Sequence, residues 1–430
     1  MSRLRFGAFL APHHPVGENY TLMLQRDLAL AEHLDQLGLD EFWCGEHHST
    51  GWEVIASPEL FLAAVAQRTH TIRLGTGVIS LPYHHPFTVA QRLVQLDHQS
   101  RGRLIFGSGP GALPSDAAML GIDPMRQRDM QDEALSVIIP LLRGERVSHE
   151  TDWFELHDAE LQIHPHQESI PMAVASSISP SGMKLAGKYG IGVLSIASNS
   201  TEGLLALPTQ WSFAEESAAA HDQAVSRDDW RVLMAWHLAE SREQARAEAV
   251  DGLQKWNNDY NVAILGRPDA THHDDKWELL ENATAAGAAG AGAAVIGTPD
   301  DMIAAIRSLH ELTGGFGTVI GFAHDWVNPE ANHRSWELFA RYVIPEITGQ
   351  LAPLRASAER VSANKATLMA GAGAAIFAQI NKSDRAREAF AVTLQNAAER
   401  MGAGSSAAAG AAMQAAKDND AADTETDTHN

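Results

Sequence analysis

Short apolar runs alternate with longer amphipathic stretches along most of this chain, a pattern expected of repeated strand–helix units around a parallel sheet. The apolar runs predict strands at Leu4–Leu10, Glu41–Gly45, Ile72–Ser80, Arg103–Ser108, Met172–Ala175, Gly192–Ile196, Arg231–Ala239 and Thr318–Phe322. Between them, one-sided apolar spacing predicts helices over Thr21–Leu37, Pro86–His98, Pro124–Leu142, Pro180–Tyr189, Thr201–Ala220 and Arg242–Trp256, with Glu330–Ile344 closing the series. Ser57-Pro58 adds a cap-then-proline start for a helix reaching Arg68, and Gly38 stops the first helix. Eight strands with this many crossovers specify a (β/α)₈ (TIM) barrel.

Three stretches depart from the repeat. Val147–Ile163 reads as a polar hairpin inserted in it, and Asn257–Gly297, ending in the glycine-rich ATAAGAAGAGAAVIG, is too long for an ordinary barrel loop and reads as a lid. From Gln350 the composition turns alanine-rich and then acidic. The expected organisation is a barrel over 1–348, a helical extension over 349–402 and a disordered acidic tail over 403–430.

Charge and composition narrow the function. With 54 acidic against 32 basic residues in 430, the chain carries a formal net charge of -22, which opposes nucleic acid and anionic membrane surfaces. It has no apolar run of membrane-spanning length, and a single cysteine, Cys44, forms no intrachain disulfide, so a soluble cytoplasmic protein is expected.

In a parallel barrel, chemistry collects at the carboxyl ends of the strands, where the loops project. Glu46-His47-His48 leaves the second strand, and one of the two imidazoles can face the pocket as an acid, a base or a hydrogen-bond donor. Gly107-Ser108-Gly109-Pro110-Gly111 is a poor dinucleotide fingerprint, because Pro110 interrupts it, but it lets a flat ligand approach the backbone. Ser176, Ser177, Ser179 and Ser181 lead into Gly182 at a helix start, more hydroxyls than one cap needs and a suitable place for a phosphate. His13, Trp52, Tyr83 and His324 sit in loops that would line a substrate pocket. The only His-x-His spacing, His164-Pro165-His166, falls in the hairpin, so no catalytic metal is expected.

Taken in order, Glu46-His47-His48, Gly75-Thr76-Gly77, Pro82, His85-Pro86, Leu96-Asp97, Ser100-Arg101-Gly102-Arg103, the serine cluster before Lys184-Leu185-Ala186, and Val295-Ile296-Gly297-Thr298-Pro299 resemble the bacterial luciferase-like, flavin-dependent monooxygenases. GFAHDW followed by SWELFARYVIP is similar to the limonene monooxygenase group within it. The resemblance implies a barrel that takes reduced FMN from a separate NAD(P)H-dependent flavin reductase, activates O₂ as a flavin C4a-peroxide and oxygenates a small hydrophobic molecule such as a terpene or cyclic ketone. It also implies a homodimer. By position it makes His47 the catalytic acid/base, puts a cis peptide at Gly77–Val78 under the flavin ring with Ser108 and Gly109 beside it, and puts Ser176, Ser177, Ser179, Ser181 and Gly182 in the phosphate loop. Gly109 and Pro110 replace a luciferase cysteine and a phosphate-holding arginine. Two other readings use the same barrel: a deazaflavin-dependent oxidoreductase and a weakly active flavin-binding partner subunit.

Overall fold

A computed structural model describes residues 3–11, 13–196, 200–285 and 292–401. Two compact units divide the chain at Gly349/Gln350.

In the first unit, parallel strands β1 (Arg5–Leu10), β2 (Glu41–Cys44) and β3 (Arg73–Thr76) are followed by the two-residue β4 (Ile79–Ser80) and by β5 (Leu104–Gly109). A hairpin, β6 (Val147–Glu150) and β7 (Glu155–Ala159), precedes β8 (Met172–Ser176), β9 (Gly192–Ser195), β10 (Trp230–Leu238), β11 (Ala294–Gly297) and β12 (Thr318–Ala323). Each of β1, β2, β3, β5, β8, β9, β10 and β12 pairs in parallel with the next, and β12 returns to β1, so eight strands close the expected barrel.

Helices α1 (Tyr20–Gln36), α2 (Pro58–Arg68), α3 (Pro86–Gln99), α4 (Pro114–Leu120) and α5 (Gln127–Leu142) cover the first half. α6 (Ser181–Tyr189), α7 (Thr201–Ala220), α8 (Arg242–Lys255), α9 (Lys276–Thr284), α10 (Pro299–Thr313), α11 (Pro329–Leu338) and α12 (Ile344–Ile347) cover the second.

Alternation along the strands sends one set of side chains into the barrel and the other against the helices. Phe9, Trp43, Ile105, Leu194, Leu233 and Ile320 belong to the inner cluster. Trp43 needs Gly75 across the interface, because a Cβ at Gly75 would stand 2.3 Å from the indole. Near the amino ends of the strands, buried Arg231 holds Glu41 in a two-pronged pair at 2.7 and 3.0 Å while Trp43 Nε1 donates to the same carboxylate at 2.9 Å. Burial pushes the Glu41 carboxyl up, but Arg231 more than offsets this and holds it below the ordinary value.

Two expectations need correction. The predicted third strand is broken at Gly77–Val78, where the peptide is cis and the chain leaves the ladder between β3 and β4. The stretch expected as a lid loop is largely regular: a π-helical segment at Trp256–Ile264, then α9, then β11, which pairs with Ala235–Leu238 of β10. These elements are short and held by tertiary contacts, through buried Tyr260, Leu279 and Leu280 among others. Residues 286–291 of that stretch lie outside the described residues.

The second unit contains helices α13 (Ala352–Ala363), α14 (Lys365–Ile380) and α15 (Asp384–Met401), with Phe377 and Phe390 in edge-to-face contact at 5.4 Å. The expected acidic tail over 403–430 lies outside the described residues. Among the described residues no helix is long and apolar enough to cross a membrane.

Candidate active site

His47, Ser108, Gly109 and the serine cluster all stand at or just past the carboxyl ends of parallel strands, hence at one rim of the barrel. β2 delivers Glu46-His47-His48 to that rim, and the two histidines do diverge. Nδ1 of His47 lies 3.2 Å from Asp116 Oδ2 and its Nε2 lies 2.5 Å from Glu53 Oε2. His48 turns to Glu46, whose Oε1 also contacts His84 Nε2 at 2.6 Å and whose Oε2 accepts from the Ser80 amide at 2.7 Å. Glu46 is therefore a brace between the β2 and β4 strand ends, and His47 is the imidazole in the polar cluster at the mouth.

Around His47, burial depresses the imidazole pKa against the hydrogen bond and charge of Asp116. Burial pushes the Asp116 carboxyl up, but hydrogen bonds from His47 and Ser49 outweigh it and hold the group below its ordinary value. Glu53 goes the other way: it is buried and raised by desolvation, with His13 only partly opposing the shift.

His13 and Trp52 join this cluster. His13 Nε2 lies 2.8 Å from Glu53 Oε1, and the ring stands 4.7 Å from Tyr260 and 5.5 Å from Phe322. Buried Trp52 lies 5.2 Å from the same tyrosine. The outcome is an aromatic wall of His13, Trp52, Tyr260 and Phe322 around one carboxyl group.

Tyr83 is elsewhere on the rim, its hydroxyl accepting from Gln127 Nε2 at 3.1 Å and burial pushing its pKa up to about 12. His324 does not present a free nitrogen to a pocket. Its Nε2 lies 2.8 Å from the Trp236 carbonyl and its Nδ1 accepts from the Trp326 amide at 3.2 Å, while burial drives its pKa down to about 3.

Val78 follows the cis peptide and packs against Gly109, where a Cβ would stand 2.4 Å from Val78 Cγ2. Only glycine leaves room for Val78 to pack there. Buried Ser108 lies on β5 with its Oγ 3.5 Å from Gln131 Nε2.

The serine loop joins β8 to the start of α6. Ser177 and Ser179 are exposed, Ser179 Oγ lies 2.8 Å from Ser181 Oγ, and Arg128 Nε from α5 donates to Ser181 Oγ at 3.3 Å. A groove of about 440 Å³ runs here, bounded by Pro110, Arg128, Ser181, Gly182, Lys184 and Lys188. Gly182 packs its backbone on β8, a Cβ there meeting the Ala175 carbonyl at 2.3 Å. Ser176 Oγ is buried with no hydrogen-bond partner among the described residues. A helix start, exposed hydroxyls, an orphaned buried serine and a guanidinium together suit the phosphate end of a mononucleotide.

Sequence reading missed Glu53, Asp116, Arg128 and Tyr260. Arg128 and Tyr260 carry no local motif. Glu53 lies in the loop after His47-His48 and Asp116 in the first turn of α4 after Gly109-Pro110, and that adjacency is the one signal that pointed to them.

The chain belongs to the luciferase-like monooxygenase family, whose sequence profile matches residues 4–314. It is 48% identical to 4-hydroxyprotoasukamycin monooxygenase of Streptomyces nodosus subsp. asukaensis over 374 residues, 85% of this chain and 99% of that protein. It is 47% identical to limonene 1,2-monooxygenase of Rhodococcus erythropolis over 364 residues, 84% of this chain and 92% of that protein. Among solved structures it is similar to the oxygenating constituent of 3,6-diketocamphane monooxygenase from Pseudomonas putida, a type II Baeyer–Villiger enzyme in complex with FMN, at a TM-score of 0.66 and 26% identity over 80% of this chain and 98% of that one.

Proposed function

We propose that this monooxygenase is the oxygenating component of a two-component system, taking reduced FMN from a separate NAD(P)H-dependent reductase and inserting one atom of O₂ into a small hydrophobic substrate of the terpene or cyclic-ketone class. The observation that carries the reading is the placement of His47 and the orphaned Ser176 hydroxyl on the same rim, a reactive imidazole at one side and an anion-ready loop at the other. The activities of the limonene and 3,6-diketocamphane relatives support the substrate class.

FMN bound in reduced form would supply the electrons that activate O₂. The chain's own residues have separate tasks. Ser176, Ser177, Ser179 and Ser181, the first N–H groups of α6 from Gly182 onward, and Arg128 hold the phosphate. Val78 and Gly109 offer an apolar side chain and bare backbone to a flat ring. His13, Trp52, Tyr260 and Phe322 exclude water from the mouth. His47 holds or moves a proton at Nε2.

The test is oxygen uptake with photoreduced FMN, repeated with terpenes and cyclic ketones, with products read by mass. Oxygen-dependent mass gain of one oxygen atom without any reductase protein present is expected. Absence of any oxygenated product together with tight binding of a deazaflavin would replace this reading with hydride transfer.

A further inference from the structure

Oxygen insertion needs a dry mouth, yet turning O₂ and a reduced flavin anion into oxygenated product, oxidised flavin and water takes up one proton. The His47 side chain is 17% exposed and loses that access to water once flavin and substrate lie over it. The residues behind His47 offer a second route for the proton.

Glu53 touches two imidazoles at once. Its Oε2 lies 2.5 Å from His47 Nε2 and its Oε1 lies 2.8 Å from His13 Nε2. The other ring nitrogen of His13, Nδ1, is buried without a hydrogen-bond partner among the described residues, on a side chain 10% exposed. A buried polar atom left in that state is costly, and an ordered water is the common remedy.

There is room for one. A cavity of about 20 Å³ lies between the chain after β1, helix α1 and the chain after β12, bounded by His13, His14, Arg26, Asp325 and Asn332. A single water needs roughly 10–15 Å³ and two to four polar neighbours, so this space holds one and no more. His14 has both ring nitrogens committed, to Asp27 and Asp325, and does not compete for it. Asp325 Oδ2 is shared by His14 and Arg26, each at 2.7 Å, whereas its Oδ1 makes no hydrogen bond among the described residues and its side chain is 21% exposed. Asp325 is therefore where the cavity meets solvent.

We propose that His13 is a proton-relay residue: one water in this cavity joins its Nδ1 to Asp325, and protons pass between solvent and His47 by way of Asp325, that water, His13 and Glu53. The consequence for turnover rests on the monooxygenase reading above. Inward, the water gives a proton to His13 Nδ1, Nε2 gives its proton to Glu53 Oε1, and Oε2 gives one to His47 Nε2, while the water regains its proton from solvent at Asp325. Each N–H or O–H bond that breaks is matched by one that forms, and no electrons change hands. Run in reverse, the same steps carry a proton out, so the relay works whichever of Glu53 and His47 holds the proton at rest. It requires an imidazole, which takes a proton on one nitrogen and releases another from the second.

The tests use the full chain. A high-resolution crystal structure of the flavin-free protein should show one ordered water within hydrogen-bonding distance of His13 Nδ1; a cavity with no water on that nitrogen overturns the proposal, and this result stands even where a variant folds poorly. His13→Gln keeps a donor to Glu53, but an amide passes no proton on. In single turnovers with photoreduced FMN the variant should form product about 10- to 100-fold more slowly, with a raised solvent deuterium isotope effect and unchanged FMN affinity. An unchanged rate, or a slower one with the wild-type isotope effect, overturns the proposal. With oxidised FMN bound, NMR should show the His47 ring proton exchanging with solvent more slowly in His13→Gln than in wild type, and equal exchange also overturns it. If the water and the slowed exchange are found but the wild type forms no oxygenated product, the function assignment fails and the relay stands.

Discussion

Replacing His14 should remove much of the loss of folding stability between pH 6.5 and pH 9. His14 is 2% exposed just past β1, with Nε2 2.9 Å from Asp27 Oδ2 on α1 and Nδ1 2.7 Å from Asp325 Oδ2 after β12. Arg26 shares the second carboxylate at 2.7 Å. Burial by itself would depress the imidazole, but the hydrogen bonds and charges of Asp27 and Asp325 outweigh it and hold the pKa up at about 9. A folded-state pKa above the unfolded value means stability fully present below about 6.5 and lost as pH rises through about 9. The gap corresponds to at most about 3 kcal/mol. It is an upper bound, because burial also raises Asp27 and returns part of the gain. Urea unfolding of wild type and His14→Gln at pH 6.5 and pH 9, at one ionic strength, measures it. The wild type should lose about 1–3 kcal/mol more than the variant over this interval. Parallel losses in the two proteins would refute a charged His14. His13 and His14 follow the same strand and take different partners, His14 with Asp27 and Asp325 and His13 with Glu53.

Three other outcomes follow from the geometry. Arg128→Ala should weaken FMN binding about tenfold, as expected for one charge-assisted hydrogen bond, with an unchanged melting temperature in the free protein; fluorescence titration and a thermal melt check both, and unaltered affinity would remove Arg128 from the phosphate site. His47→Asn should leave the fold intact and reduce turnover by about 10²- to 10⁴-fold, measured as product formed per reduced flavin. Cys44 is fully buried and desolvation holds its thiol well above the ordinary range, so a thiol reagent should label it only on unfolding; rapid labelling of the native protein would contradict that burial.

The chain by itself determined the barrel and the location of its business end. Apolar runs at regular spacing mark strands wherever both faces are buried, as along Trp230–Leu238, and the residues that end those runs fall on one rim because all the strands are parallel. His47, Gly109 and the serine cluster were legible for that reason. The regular elements inside 257–297 were not, because each is too short to show a clear period and α9 and β11 are held by contacts with α8 and β10. Tertiary structure alone decided the chemistry around His47. Asp116 and Tyr260 come from 69 and 207 positions away from the residues they meet, and a hydrogen bond between such distant groups depends on strand register and loop closure, which no local pattern encodes. It also decided the partner of each imidazole: Glu46 holds His48, backbone groups hold His324, and Asp116 and Glu53 flank His47.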